Sequence, residues 1–162
     1  MKKPAIRRIA EAAELVQSLQ SIADGLEDKL IILDSEYRVR FANSAVCQSC
    51  ESTESPIDKR CYEVFQGRDK PCGPPLWECP LGKVVRNASP ATLIHPYHNR
   101  YVKITMWPLK DSHGNIDAVV ELRRDVTAER EREREILRRH HHLDSLSHVS
   151  SAVSGLGICP LS

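Results

Sequence analysis

The strongest constraint on the fold is the order in which two kinds of apolar pattern follow one another. Leu30-Ile31-Ile32-Leu33 is a short continuous apolar run suited to a buried strand. After the turn Asp34-Ser35-Glu36, residues Tyr37, Val39 and Phe41 alternate with Arg38 and Arg40, the period-two pattern of a half-buried strand. From 44 to about 90 the pattern is helical and loop-like, broken by Pro56, Pro71, Pro74, Pro75 and Pro80. Strands return at Thr92 to Tyr97 and at Tyr101 to Leu109. In the latter, Val102, Ile104 and Met106 share one face, and Tyr101, Lys103, Thr105 and Trp107 share the other. Asp111-Ser112-His113-Gly114-Asn115 is a turn cluster, and Ala118 to Leu122 is the last strand. Two strands, a helical middle and three strands imply an α+β fold, with helices on one face of a five-stranded antiparallel sheet.

Helices flank this core. Ile6, Ile9, Ala13 and Val16 form one stripe, continued by Leu19 and Ile22, which predicts an amphipathic helix within residues 1–24 that ends at Asp24-Gly25. Its apolar side suits packing on its own domain or pairing with a second copy, and the short stripe of about three turns favours pairing. The core spans 25–127, and a second helix spans 128–156. In that helix Glu and Arg alternate from Glu129 to Glu135, setting opposite charges three residues apart, such as Glu129 with Arg132. Leu146, Val149, Val153 and Leu156 then form a short coiled-coil-prone seam. Residues 157–162 are expected to be a disordered tail.

The whole has 162 residues and a formal net charge of +1, with 5% aromatic residues. That length allows one domain with extensions. The charge argues against nucleic acid as a partner, and the scarcity of aromatics argues against a base-stacking platform. No run approaches the roughly 18 apolar residues of a membrane helix, so no membrane insertion is expected and a cytoplasmic location is. The chain contains no Gly-rich phosphate loop, no HExxH and no nucleophile elbow, hence no complete catalytic constellation and no expectation of an enzyme.

Several motifs taken together resemble the PAS sensor domain. Phe41-Ala42-Asn43-Ser44-Ala45 resembles the point at which that family's opening hairpin enters its first helix. Arg60-Cys61-Tyr62-Glu63-Val64-Phe65 resembles its short middle helix. Ala118-Val119-Val120-Glu121-Leu122-Arg123-Arg124-Asp125-Val126-Thr127 resembles the last strand and its exit into a charged signalling helix. The resemblance covers about residues 25–127 and the helix that follows. It implies a ligand pocket between sheet and middle helices, near Asn43, His95, Arg100 and Trp107. It also implies a sensory and dimerisation module that responds to a small ligand or redox state and relays the change through the C-terminal helix. A homodimer formed through the terminal helices and a downstream signalling domain or protein are the expected partners. The alternative is an N-terminal fragment of a sensor histidine kinase or another signalling enzyme.

Five of six cysteines, Cys47, Cys50, Cys61, Cys72 and Cys79, lie in the helical middle, and Cys159 lies in the tail. Cys47-Gln48-Ser49-Cys50 is a CxxC, which can offer two thiolates to one metal ion. A subset of PAS domains carries a segment similar to Cys61 through Cys72 and Cys79-Pro80, although there the last two cysteines are closer together. Four thiolates would suit an iron–sulfur cluster or zinc, and a cysteine-ligated redox protein on a PAS scaffold is a further alternative. A thiol–disulfide switch and simple burial as small apolar side chains are the other readings. Haem ligation by His95 or His98 ranks below these. His140-His141-His142 fits a solvated helix face, and Ser147-His148 lacks the surroundings of a phosphorylated histidine.

Overall fold

The computed structural model describes residues 3–49, 54–73 and 77–154, with side chains from 13 to 140 within those ranges. Cys50, Cys159 and the tail lie outside them, as do the side chains of Ile6, Ile9 and the seam residues Leu146, Val149, Val153 and Leu156. The chain forms two compact units, Met1–Asp125 and Val126–Ser162.

In the first unit, α1 (Lys3–Asp24) precedes β1 (Lys29–Leu33) and β2 (Val39–Ala42). Three short helices follow: α2 (Ser44–Ser49), α3 (Cys61–Gln66) and α4 (Pro80–Asn87). The unit closes with β3 (Ala91–Tyr97), β4 (Arg100–Lys110) and β5 (Ile116–Asp125). The strands form one antiparallel sheet in the order β2-β1-β5-β4-β3, the α+β arrangement that the sequence implies.

Residues opposite one another in an antiparallel ladder share a face. Ile31, Leu33, Ile104, Met106, Val119 and Glu121 face inward and are almost fully buried. Val39, Val46, Cys61, Tyr62, Leu81 and Val84 complete that core from β2 and the helices. Each such aliphatic burial stabilises the fold by about 1.5–3 kcal/mol. The opposite face carries a row in which Phe41 pairs Ile32, Ile32 pairs Val120 and Val120 pairs Trp107.

The first hairpin departs from the simple alternation. Val39 pairs Leu33 and faces inward, but Phe41 pairs Ile32 and faces outward, because the register shifts between Ile32 and Leu33. A bulge places two residues against one and reverses the alternation beyond it. The turn is also longer than Asp34–Glu36. Tyr37 has φ 70°, and the Asp34 carboxylate accepts hydrogen bonds from the backbone N–H groups of Glu36 and Arg38, both at 2.9 Å.

Asn43 joins α1, β1 and α2. Its Nδ2 donates to the carbonyl oxygens of Ala23 and Asp28, each at 2.9 Å, and its Oδ1 accepts from the Leu30 N–H at 3.0 Å. The same oxygen caps α2 through the Val46 N–H. Ser44 adds bonds to the Asp24 carboxylate and carbonyl. In the second unit, α5 (Thr127–Ser154) carries ion pairs at helical spacing, Arg130 with Glu133 and Glu135 with both Arg138 and Arg139.

Because Asn43 is fully buried with its amide satisfied on both sides, Asn43→Ala strands backbone groups from three elements. The substitution is expected to cost about 2–4 kcal/mol, measured as the shift in urea unfolding free energy. A loss under 1 kcal/mol would remove Asn43 from this role.

Candidate functional site

A cavity of about 30 Å³ lies between the inner face of the sheet and the segments around α3 and α4. About one or two water molecules fit a space of that size. Its lining includes Cys61, Cys72, Trp77, Cys79, Met106, Glu121 and Arg123.

Local structure explains how three cysteines separated by 18 residues of sequence reach one place. Cys61 opens α3, whose first turn is held by the Glu63 carboxylate accepting from the Arg60 N–H. Cys79 immediately precedes α4, with Pro80 at the first helical position, where its missing N–H is no loss. Both helix starts border the cavity, and Cys72 comes from the loop between them. All three are free thiols. Cys47 is also a free thiol, but it is exposed on α2 and does not line the cavity. Among the described residues, no group of three or more His, Cys, Asp or Glu side chains is placed to hold a metal ion.

The thiols of Cys61 and Cys72 resist ionisation. The first turn of a helix ordinarily lowers a thiol's pKa. At Cys61 burial outweighs that effect and pushes the pKa far up, and the nearby Glu121 carboxylate adds to the rise while Arg123 opposes it. Burial also raises the Cys72 pKa, reinforced by Cys79.

Glu121 is the side chain that sequence reasoning missed. It is 0% exposed and stands on β5 between Ile31 and Met106, in the middle of the apolar inner face. Its Oε1 accepts from Arg123 Nε. The guanidinium of Arg123 is in turn held over the Phe65 ring, 4.2 Å from the centroid. Glu121 Oε2 is buried and has no hydrogen-bond partner. Alternation from Val119 would have turned Glu121 and Arg123 inward, but the apolar run around them hid the pair.

The other expected pocket residues are dispersed. His95 is buried on the inner face of β3 and stacks on Trp77, with ring centroids 4.2 Å apart, so it backs the cavity wall rather than lining it. Its Nδ1 lies 3.0 Å from the Pro96 carbonyl oxygen. Trp107 sits on the opposite face of the sheet from Met106, and Arg100 is exposed near the β3–β4 turn, where it pairs with Asp125. Asn43 makes the structural joint described above. His98 occupies the turn with φ 52° and is exposed.

A family model described as the PAS fold matches residues 23–131, more than half of the sequence. The chain belongs to the PAS family. The PAS match takes in the whole sheet, the cavity and the start of α5. Among solved structures, the PAS chain is similar to an RNA-binding Light-Oxygen-Voltage receptor, with 16% identity and a TM-score of 0.60, over 86% of this chain and 39% of that one. It is also similar to histidine kinase ThkA, solved in complex with response regulator protein TrrA, with 22% identity and a TM-score of 0.56, over 83% and 39%. A sensory box sensor histidine kinase from Vibrio cholerae aligns at 16% identity and a TM-score of 0.47, over 78% and 98%. The chain thus spans 39% of the first two. No curated protein matches the sequence. Among the described residues, no helix is long and apolar enough to cross a membrane.

Site-resolved alkylation of the native protein is expected to modify Cys47 fastest and Cys72 more slowly, with Cys61 modified only on unfolding. Equal rates at Cys47 and Cys61 would contradict the burial. Linkage gives the pH dependence. Below the ordinary thiol pKa of 9.0, Cys61 is protonated whether folded or unfolded, and stability is fully present. Above it only the unfolded thiol ionises, so stability is lost as pH rises. The drop in unfolding free energy between pH 7 and 10 is expected to be smaller in Cys61→Ala than in the parent.

Proposed function

We propose that the chain is the sensory and dimerisation input module of a cytoplasmic signal-transduction protein, with no catalysis of its own. A small molecule enters the cavity, and the change passes through α5 to a downstream signalling domain or protein. The observation that carries this proposal is the continuity of β5. The strand that presents Glu121 and Arg123 to the cavity leads, two residues after its end, into the 28-residue charged helix α5. Fold relatives that include histidine kinases are consistent with such a role.

A small ligand fits this site better than a redox signal. Thiol oxidation proceeds through the thiolate, and burial suppresses that form at Cys61 and Cys72. Dimerisation is supported by the side chains that the helices expose. On α1, Leu15, Leu19 and Ile22 are more than half exposed and lie four and three residues apart, a spacing that puts them on one face. On α5, Ile136 and Leu137 are likewise exposed.

Sedimentation equilibrium is expected to give a mass near twice 18.3 kDa at micromolar concentration. The double substitution Leu19→Asp and Ile22→Asp is expected to yield a folded monomer. A parent protein that remains monomeric at high concentration would end the dimerisation part of the proposal.

A further inference from the structure

The core of the sheet contains one polar atom whose surroundings explain only half of its carboxylate. Glu121 Oε1 is held by Arg123 Nε. Oε2, fully buried on a residue that lines the cavity, receives no hydrogen bond. Arg123 is fixed twice, by Oε1 on one side and by the Phe65 ring on the other, so it is poorly placed to turn and satisfy the second oxygen. The rest of the lining supplies thiols, a thioether, an indole, the Tyr62 phenol, the Gln66 amide and aliphatic groups, and none of them donates to Oε2. A buried carboxylate oxygen without a donor is costly to maintain, and one that borders a cavity is satisfied by whatever enters.

We infer that Glu121 Oε2 is the anchor of the binding site and that it selects an uncharged ligand that presents an O–H or N–H donor to it. Three observations set the class. The free oxygen of a carboxylate accepts and does not donate, so the ligand must donate. Arg123 already balances the charge of Glu121, so a cationic ligand would bring an uncompensated buried charge. The volume of about 30 Å³ admits a group of very few heavy atoms, either a whole small molecule or the head of a larger one. Hydroxyl and primary-amide heads meet all three conditions. The soft thiols of Cys61, Cys72 and Cys79 form part of the remaining wall and contribute contact.

The test uses the full chain, labelled with ¹⁵N, and two neutral probes of three heavy atoms each. Formamide donates N–H, whereas acetonitrile only accepts. Formamide is expected to shift the amide signals around Glu121, Cys61 and Cys79, with an affinity roughly tenfold or more above that of acetonitrile, the fold-change of one hydrogen bond to a charged acceptor. Methylammonium, which donates but is charged, is expected to bind more weakly than formamide. Glu121→Gln can turn an amide N–H toward the cavity. It is expected to abolish or invert the formamide preference while signals remote from β5 keep their positions. Equal affinity for the two neutral probes in the parent protein, which needs no variant to fold, would overturn the inference. So would tighter binding of methylammonium, or a preference unchanged in Glu121→Gln. The inference rests on the sensory role proposed above, and the two fail separately. Loss of the formamide preference overturns the anchor. A preserved preference with no response in residues 127–154 upholds the anchor and overturns the relay.

Discussion

Pairing along both edges of β5 is the constraint on which the rest of the structure depends. From Val119 to Arg123 the strand is bonded to β1, and from Ile116 to Asp125 it is bonded to β4. It is therefore the central link between the first hairpin and the β3–β4 hairpin in the order β2-β1-β5-β4-β3. Pairing β1 with β5 closes a loop of more than eighty residues, and the entropy of that closure is recovered only when the inner face is packed. Val119 supplies part of the packing, beside Leu33 and Ile31. The helices then have a surface to cover, and Leu81, Val84 and Tyr62 cover it.

A strand in that position would be most stable with apolar residues throughout, yet it carries Glu121 and Arg123. Burying an ion pair in place of aliphatic groups is commonly neutral or unfavourable by about 1–4 kcal/mol, whereas removing a single partner costs about 3–5 kcal/mol. The pair is therefore poorly explained as a source of stability. It is better explained by its location beside the cavity, where it costs packing and provides a directional acceptor. Arg123 also serves the fold by covering Phe65, so one residue bridges the charged pair and the aromatic edge of the core.

Most of the fold was legible because it rests on local periodicity. β4 announced itself through Val102, Ile104 and Met106, and the end of α1 through Asp24-Gly25. The bulge in β2 was not legible. Nothing in Val39-Arg40-Phe41 distinguishes an unbroken strand from a shifted one, and the register depends on which residues β1 offers as partners. The site was only partly legible. Clustering in sequence placed Cys61, Cys72 and Cys79 in one region, but it could not separate them from Cys47, which α2 directs into solvent. Nor could it show that Trp107 and Met106, adjacent in sequence, would serve opposite faces of the sheet with only Met106 at the cavity. Glu121 was hidden for a related reason. Neighbours on a central strand are apolar on both faces, so a single inward carboxylate is lost in the run.

The energetics of one anchoring hydrogen bond limit how such a module can signal. A ligand shifts an equilibrium only by the difference in its binding free energy to the two states. One hydrogen bond to a charged acceptor is worth about 1.5–3 kcal/mol, which corresponds to a ten- to hundredfold change in a population ratio. A full reversal from 1:99 to 99:1 needs about 5.5 kcal/mol. Under the proposed relay, a small donor at Glu121 would therefore tip a nearly balanced equilibrium but would not drive a strongly biased one. The alternating Glu and Arg residues of α5 suit that requirement. Ion pairs three or four residues apart contribute only about 0.2–0.5 kcal/mol each, so alternative pairings along the helix differ little in energy. Under the proposed relay, the weak, numerous ion pairs of α5 and one directional contact at Glu121 would lie on the same energy scale.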